Sequence, residues 1–285
     1  MWLIFTIINM IIIGVIGIIK KKNSNDQALQ FWAIAVFLYG LFNVILGIIF
    51  YPEVVFSFDI KTFLYTLSIS LFATLGYYCS IKSLQNSDIS KVFPIMKSKT
   101  ILVLILSSIF LKDETLSIIQ IILIFVILIL NILLNSKKSD NKTFNGILYA
   151  IGFLIFNGTS TFIEKVVMNI IPNPVSITFY VGLTSLLSIF MILLIFGKFE
   201  YLNFKKFNNK KQIIILELLE VVGMLLTRYA LIDGNVVIIT AITSCSVLIT
   251  IILSVILLKE KISIKKWILI ILITLMLTLL SIASL

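Results

Sequence analysis

The chain has no histidine, which removes the commonest general base and metal ligand together. Its two cysteines, Cys79 and Cys245, sit far apart inside apolar runs. They build neither a disulfide framework nor a metal-ligand spacing, so no metal and no other cofactor is expected. No Gly-x-x-x-x-Gly-Lys-Ser/Thr segment occurs, which excludes an ATP-driven pump built on a P-loop within this chain. Charge is scarce as well, at 13% of 285 residues, and no obvious nucleophile stands beside what there is, so an enzyme is not expected.

What is present is hydrocarbon. With 60% hydrophobic residues and a mean hydropathy of +1.16, the composition is that of a polytopic membrane protein. A bilayer core of about 30 Å takes about 20 helical residues per crossing. Ten such runs are present, at 2–19, 29–50, 61–82, 89–111, 115–135, 145–168, 174–197, 211–232, 235–258 and 264–284. The expected fold is all-α with ten transmembrane helices, enough for a monomer in the lipid bilayer.

A net charge of +10 would suggest nucleic acid in a soluble protein. Here the lysines lie in short loops and report orientation instead, so no nucleic-acid partner is expected. They cluster on the odd-to-even connections, whereas Lys61, Lys112, Lys165 and Arg228 flank the others, which places both termini outside. The first run is followed, not preceded, by its lysines and does not read as a cleaved signal peptide. The excess of Ile, Lys, Asn and Phe over Ala and Gly suggests an AT-rich genome and hence a prokaryotic cell membrane.

The chain echoes itself. Leu111-Lys-Asp-Glu-Thr-Leu-Ser-Ile118 resembles Leu258-Lys-Glu-Lys-Ile-Ser-Ile264 with Glu114 and Glu260 146 positions apart, and the link Leu84–Ile89 matches Leu231–Val236 at a spacing of 147. Residues 1–137 and 138–285 therefore read as two five-helix repeats. Five is odd, so the second copy enters from the opposite side, an inverted repeat of the kind that holds a substrate near the midplane for alternating access.

The run Lys211–Asp233 carries charge where a membrane helix should carry none. At 100° per residue Glu217, Glu220, Met224 and Arg228 share about one quadrant. An ionised group near the bilayer centre costs at least about 2.5–3.5 kcal/mol, so such a stripe is expected to face a bundle interior or wet cavity. Two plainer readings stand beside this one: Arg228 snorkels to the headgroups, and the glutamates merely pair with lysines of neighbouring helices.

Lys97 and Lys99, two residues apart, point about 200° apart on a continuous helix, so one of them faces a cavity. Lys97 shares a face with Pro94 and takes that place, leaving Lys99 to pair with a neighbouring helix. In the sixth run Asn157, Ser160, Thr161 and Glu164 form a second stripe, with Asn157 the telling member and Glu164 near enough the end to reach the interface. Asn9, Tyr77, Tyr78, Thr240 and Ser244 complete the polar set.

An ammonium on the fourth helix and carboxylates on the eighth suit a small polar or zwitterionic, amino-acid-like solute. Lys97 would take its carboxylate or phosphate and Glu217 or Glu220 its amine. The candidate substrate contacts are Lys97, Glu217, Glu220, Asn157, Tyr77, Tyr78, Thr240, Ser244 and Arg228, and Glu220 and Glu217 are also the candidate proton carriers. Two alternatives remain open: an organic-cation exporter using Glu217, Glu220, Tyr77 and Tyr78 as an anionic, aromatic trap, and a non-transporting membrane or lipid-handling subunit whose charges hold helices together.

The ten-run layout, the duplicated Leu-Lys-Glu-type loop and Ser90-Lys-Val-Phe-Pro-Ile-Met-Lys97 together resemble the EamA-like branch of the drug/metabolite transporter superfamily. A subset of that family opens its fourth helix with an aromatic-Pro pair and a basic residue three positions later, as Phe93-Pro94 and Lys97 do here, with lysine in place of arginine. The resemblance implies a carrier of small metabolites whose cavity is lined mainly by helices one, three, four, six, eight and nine. It also implies termini inside, against the lysine count. The link Tyr51–Asp59 departs from the pattern, lacking the basic residues many relatives carry.

Overall fold

In lipid every backbone N–H and C=O must find its partner inside the chain, and a helix satisfies them all within one segment. The computed structural model follows that rule: it describes residues 1–24, 27–50, 59–110, 117–134 and 141–283, and these are helical with no strand among them. The helices are α1 (Trp2–Asn23), α2 (Ala28–Phe50), α3 (Ile60–Asn86), α4 (Ile89–Lys97), α5 (Lys99–Phe110), α6 (Ile118–Leu134), α7 (Asn141–Ile170), α8 (Pro174–Phe196), α9 (Lys210–Asp233), α10 (Val236–Ser244), α11 (Ser246–Leu258) and α12 (Ile264–Ile282). Seven are long and apolar enough to cross a membrane, counting α4–α5 and α10–α11 as one each. The first copy of the duplicated loop (111–116), most of the link after α2 (51–58) and most of the connector between the halves (135–140) lie outside the described residues.

The fourth and ninth runs, expected as continuous helices, are each broken once. α4 ends at Lys97 and α5 begins at Lys99, while α10 ends at Ser244 and α11 begins at Ser246. Pro94 cannot donate to its own ladder, and Ser98 tightens the turn above it, its amide and hydroxyl both donating to the Pro94 carbonyl at 3.1 and 2.9 Å. The two breaks meet in space: the Ser244 hydroxyl donates to the Lys97 carbonyl at 2.8 Å and lies 3.0 Å from the Thr100 hydroxyl. α4 and α10 are nine residues each, and Ser98 and Cys245 stand at the same 147-residue spacing as the short links before them.

Helix ends are satisfied by other helices. Asp88 makes no side-chain cap at α4, and Glu260, beyond α11, accepts from the Ile89 amide instead at 3.1 Å. Lys21 of α1 donates to the carbonyls of Leu84 and Ser87 at the end of α3, both at 2.6 Å. Lys165 of α7 does the same at the end of α9, to Leu231 at 3.0 Å and Gly234 at 3.4 Å.

At the start of α3 Asp59 accepts from the amides of Lys61 and Thr62 and, at 2.5 Å, from the Thr62 hydroxyl. The Thr62 hydroxyl first, then the two amides, hold its carboxyl below the usual aspartate value. A lowered folded pKa gives stability that is complete above the unfolded value and lost as pH falls through the folded one. Protection of the Lys61 and Thr62 amides, measured against their intrinsic exchange at each pH, is therefore expected to fall on acidification below the ordinary aspartate range, and to be low at every pH in Asp59→Ala.

Small residues set the closest approach, as is usual between membrane helices. α2 and α8 touch through Gly40 and Gly182: a Cβ on Gly182 would sit 2.7 Å from the Val44 amide nitrogen and 2.8 Å from the Gly40 carbonyl oxygen. Backbone cannot swing aside as a side chain does. Gly182→Ala is expected to cost about 1–3 kcal/mol of unfolding free energy in a detergent titration, despite the better helix propensity of alanine.

Candidate functional site

Between the helices lies a cavity of about 200 Å³. Its charged lining is Lys20, Lys97, Lys99 and Arg228 against Glu164, Glu217 and Glu220, with Asn9, Tyr39, Thr74, Tyr77, Asn157, Ser160, Thr161 and Ser185 among its polar members. The stripe on α9 thus faces inward. α2 and α8 contribute through Tyr39 and Ser185, whereas none of the lining residues comes from α10 or α11.

Most of these charges are matched. Arg228 is fully buried, its Nε donating to Glu164 Oε1 at 2.8 Å and its Nη1 to the Thr178 hydroxyl at 2.7 Å. Snorkelling is thereby overturned for Arg228, and Glu164, 2% exposed, does not reach the interface either. Each charge supplies the partner the other needs to stay in the interior. At the other end of the α9 stripe Glu220 is ion-paired with Lys20 of α1. The Lys20 ammonium also lies 3.9 Å from the centroid of the Tyr77 ring, and the Tyr77 hydroxyl donates to Glu217 Oε1 at 2.9 Å. One helix therefore carries two polar clusters, eleven residues apart from Glu217 to Arg228.

Lys97 and Lys99 both line the cavity, against the expectation that one of them must turn away. The 200° separation holds for a continuous helix, and the break at Ser98 removes that premise. Lys99 does bond to a neighbouring helix, donating to Asn157 Oδ1 at 2.6 Å and the Thr161 hydroxyl at 3.1 Å on α7. That bond also gives the mid-membrane amide of Asn157 its partner. Lys97, 8% exposed, makes no hydrogen bond or ion pair from its ammonium to a described residue, and lies 5.1 Å from the Phe93 ring centroid.

Three of the expected contacts lie elsewhere. Tyr78, one residue and 100° round from Tyr77, packs edge-on against Trp32 at 5.4 Å and Tyr149 at 6.1 Å. Thr240 spends its hydroxyl on the Val236 and Val237 carbonyls of its own helix at 2.7 and 2.9 Å, and Ser244 is the link between the two breaks. Hydroxyls in lipid commonly bond back along their helix in this way, so spacing alone does not tell a lining residue from a satisfied one.

Lys20, Tyr39 and Ser185 are polar lining residues that the sequence reading missed, and Lys20 is the charged one. It stands beside Lys21 and Lys22, a run that reads as a topology signal. Yet Asn9, Ile13, Ile16 and Lys20 recur at i, i+4, i+7 and i+11 and line the cavity together, so the helical period was there to find it.

A model of the EamA-like transporter family matches residues 1–136 and 144–282. No curated protein matches the chain. A solved structure described only as the crystal structure of a protein resembles it with a TM-score of 0.67 at 12% identity, covering 98% of each chain. That likeness is one of fold.

Proposed function

Because the chain belongs to the EamA-like transporter family, a group of multi-pass membrane transporters of the drug/metabolite type that are generally not enzymes, we propose that it moves a small zwitterionic, amino-acid-like metabolite across the cell membrane of a prokaryote by alternating access. The observation that carries this reading is the pair of charges left over in the cavity. Glu220 is matched by Lys20 and Arg228 by Glu164, whereas among the described residues Lys97 has no ionic partner and Glu217 has only the Tyr77 hydroxyl, its Oε2 buried and without a hydrogen bond. A solute with one carboxylate and one ammonium completes both. In its absence a proton on Glu217 would do half of that work, which is how coupling to protons enters.

The architecture of the carrier is read as ten crossings in two inverted five-helix repeats, 1–137 and 138–285, with α4–α5 and α10–α11 each one crossing. The packing supports this. Exchanging the halves turns the α3–α7 contact into α9–α1, α3–α8 into α9–α2, α1–α11 into α7–α5, α1–α10 into α7–α4, and α10–α12 into α4–α6, and both members of every pair are in contact. The equal spacing of the two breaks and the matching contacts of Lys21 and Lys165 follow the same exchange.

Purified protein in detergent is expected to gain thermal stability from zwitterions and not from organic cations, nucleotide sugars or simple anions. Glu217→Gln should fold, lose most of that gain and lose uptake in proteoliposomes. Stabilisation by organic cations alone, undiminished in Lys97→Met, would instead establish the cation-export reading.

A further inference from the structure

Among the described residues, six have a buried side-chain nitrogen or oxygen without a hydrogen-bond partner, and two of these line the cavity: Glu217 through Oε2 and Arg228 through Nη2. Glu217 is 1% exposed and Arg228 not at all. The others, on Asn43, Ser87, Ser107 and Ser246, are neutral groups away from it. A buried polar atom left unpaired in native protein calls for an explanation, and one on a side chain that lines a cavity points to a ligand the cavity takes.

The two atoms are of opposite kind: a carboxylate oxygen accepts from an ammonium, and a guanidinium nitrogen donates to an acid group. They are also far apart. Eleven residues of α9 separate Glu217 from Arg228, about 16 Å along the axis at 1.5 Å per residue. Both side chains lean toward the helix N-terminus, and the longer arginine gives back several ångströms, leaving a gap on the order of 10 Å. An α-amino acid, its charges about 3 Å apart, touches one end or the other; an extended chain at about 3.3–3.6 Å per residue reaches across in two to three residues. Lys97 and Lys99 also line this cavity, where their ammonium groups meet acceptors partway along such a ligand.

We propose that the preferred substrate is an elongated zwitterion with acceptor groups along its length, of the class of a small dipeptide, with its ammonium on Glu217 Oε2 and its terminal acid on Arg228 Nη2. This deepens the zwitterion reading given above and rests on it, with the terminal acid now placed on Arg228 and Lys97 left to an acceptor group along the chain. Arg228 becomes a length-selecting anchor, held for that task by Glu164 and Thr178 at its Nε and Nη1, with the Tyr39 hydroxyl beside the guanidinium in the same lining to share the ligand's acid group.

The test is a binding ladder on the wild-type protein in detergent with glycine, 4-aminobutyrate, 6-aminohexanoate, Gly-Gly and Gly-Gly-Gly. Gly-Gly is expected to bind at least tenfold more tightly than glycine, 6-aminohexanoate, which has the length but no acceptor between its ends, to fall between the two, and N-acetyl-Gly-Gly and Gly-Gly-amide each to lose at least tenfold against Gly-Gly. Arg228→Lys, which keeps the charge beside Glu164 and so the fold, is expected to flatten the ladder through the long ligands alone. Glycine binding as tightly as Gly-Gly overturns the length selection while leaving the zwitterion reading intact. Affinity indifferent to both acetylation and amidation, or no binding by any member, overturns the two together.

Discussion

Arg228→Met is expected to remove about 3–5 kcal/mol of unfolding free energy, the largest single-site loss in the cavity. The substitution keeps much of the volume and takes away the charge, so what remains is Glu164, 2% exposed, facing an apolar thioether. The Thr178 hydroxyl loses its donor at the same time. Removing the second charge as well should undo the damage: Arg228→Met with Glu164→Gln is expected within about 1 kcal/mol of wild type, because a buried pair replaced on both sides is often close to neutral. A denaturant titration of the two single variants and the double closes the cycle, and the coupling should exceed about 2 kcal/mol. If the singles and the double all lie within about 0.5 kcal/mol of wild type, the pair is not sealed from water.

Lys97→Met should behave in the opposite way, leaving the fold alone and abolishing transport. Its ammonium is desolvated, with no carboxylate in ion-pair range among the described residues, so substitution removes a cost and leaves nothing unpaired behind. The midpoint of thermal unfolding is expected to stay or to rise. The substrate's acid or acceptor group, by contrast, loses a charge-assisted bond worth about 2–5 kcal/mol in a closed site, which is roughly 30-fold or more in affinity. Uptake at low substrate concentration should fall by at least that factor, and Lys97→Arg should restore part of it. A lower midpoint with uptake intact would make Lys97 a structural cation.

The helices were legible because lipid leaves the chain so little choice. The expected run 174–197 and observed α8 (Pro174–Phe196) coincide because Asn173 caps the Ser176 amide, Pro174 takes the first turn and Gly197 closes the end at φ 62. The α9 stripe was legible for a similar reason: Glu217, Glu220 and Arg228 share a face by period alone, and all three line the cavity. Their partners were not legible. Nothing local in the sequence says that Glu220 meets Lys20, 200 positions earlier, or that Glu164 turns inward to Arg228. Lys99 was misplaced for another reason: angular arithmetic extrapolates a regular helix, and Pro94 had already marked this one as irregular.

α9 reaches the membrane late in synthesis, and the pairing pattern bears on how it enters. Charged side chains cost about 2.5–3.5 kcal/mol each on the scale that insertion obeys, so Glu217, Glu220 and Arg228 make this the poorest of the long helices to partition alone. Yet every partner they use is translated before them: Lys20 on α1, Tyr77 on α3, Glu164 on α7 and Thr178 on α8. When the ribosome releases α9 those groups are already resident in the bilayer, and the helix integrates by docking onto a waiting surface. A nascent chain with Lys20 and Glu164 both neutralised would offer only the hydroxyls of Tyr77 and Thr178, and α9 would integrate poorly.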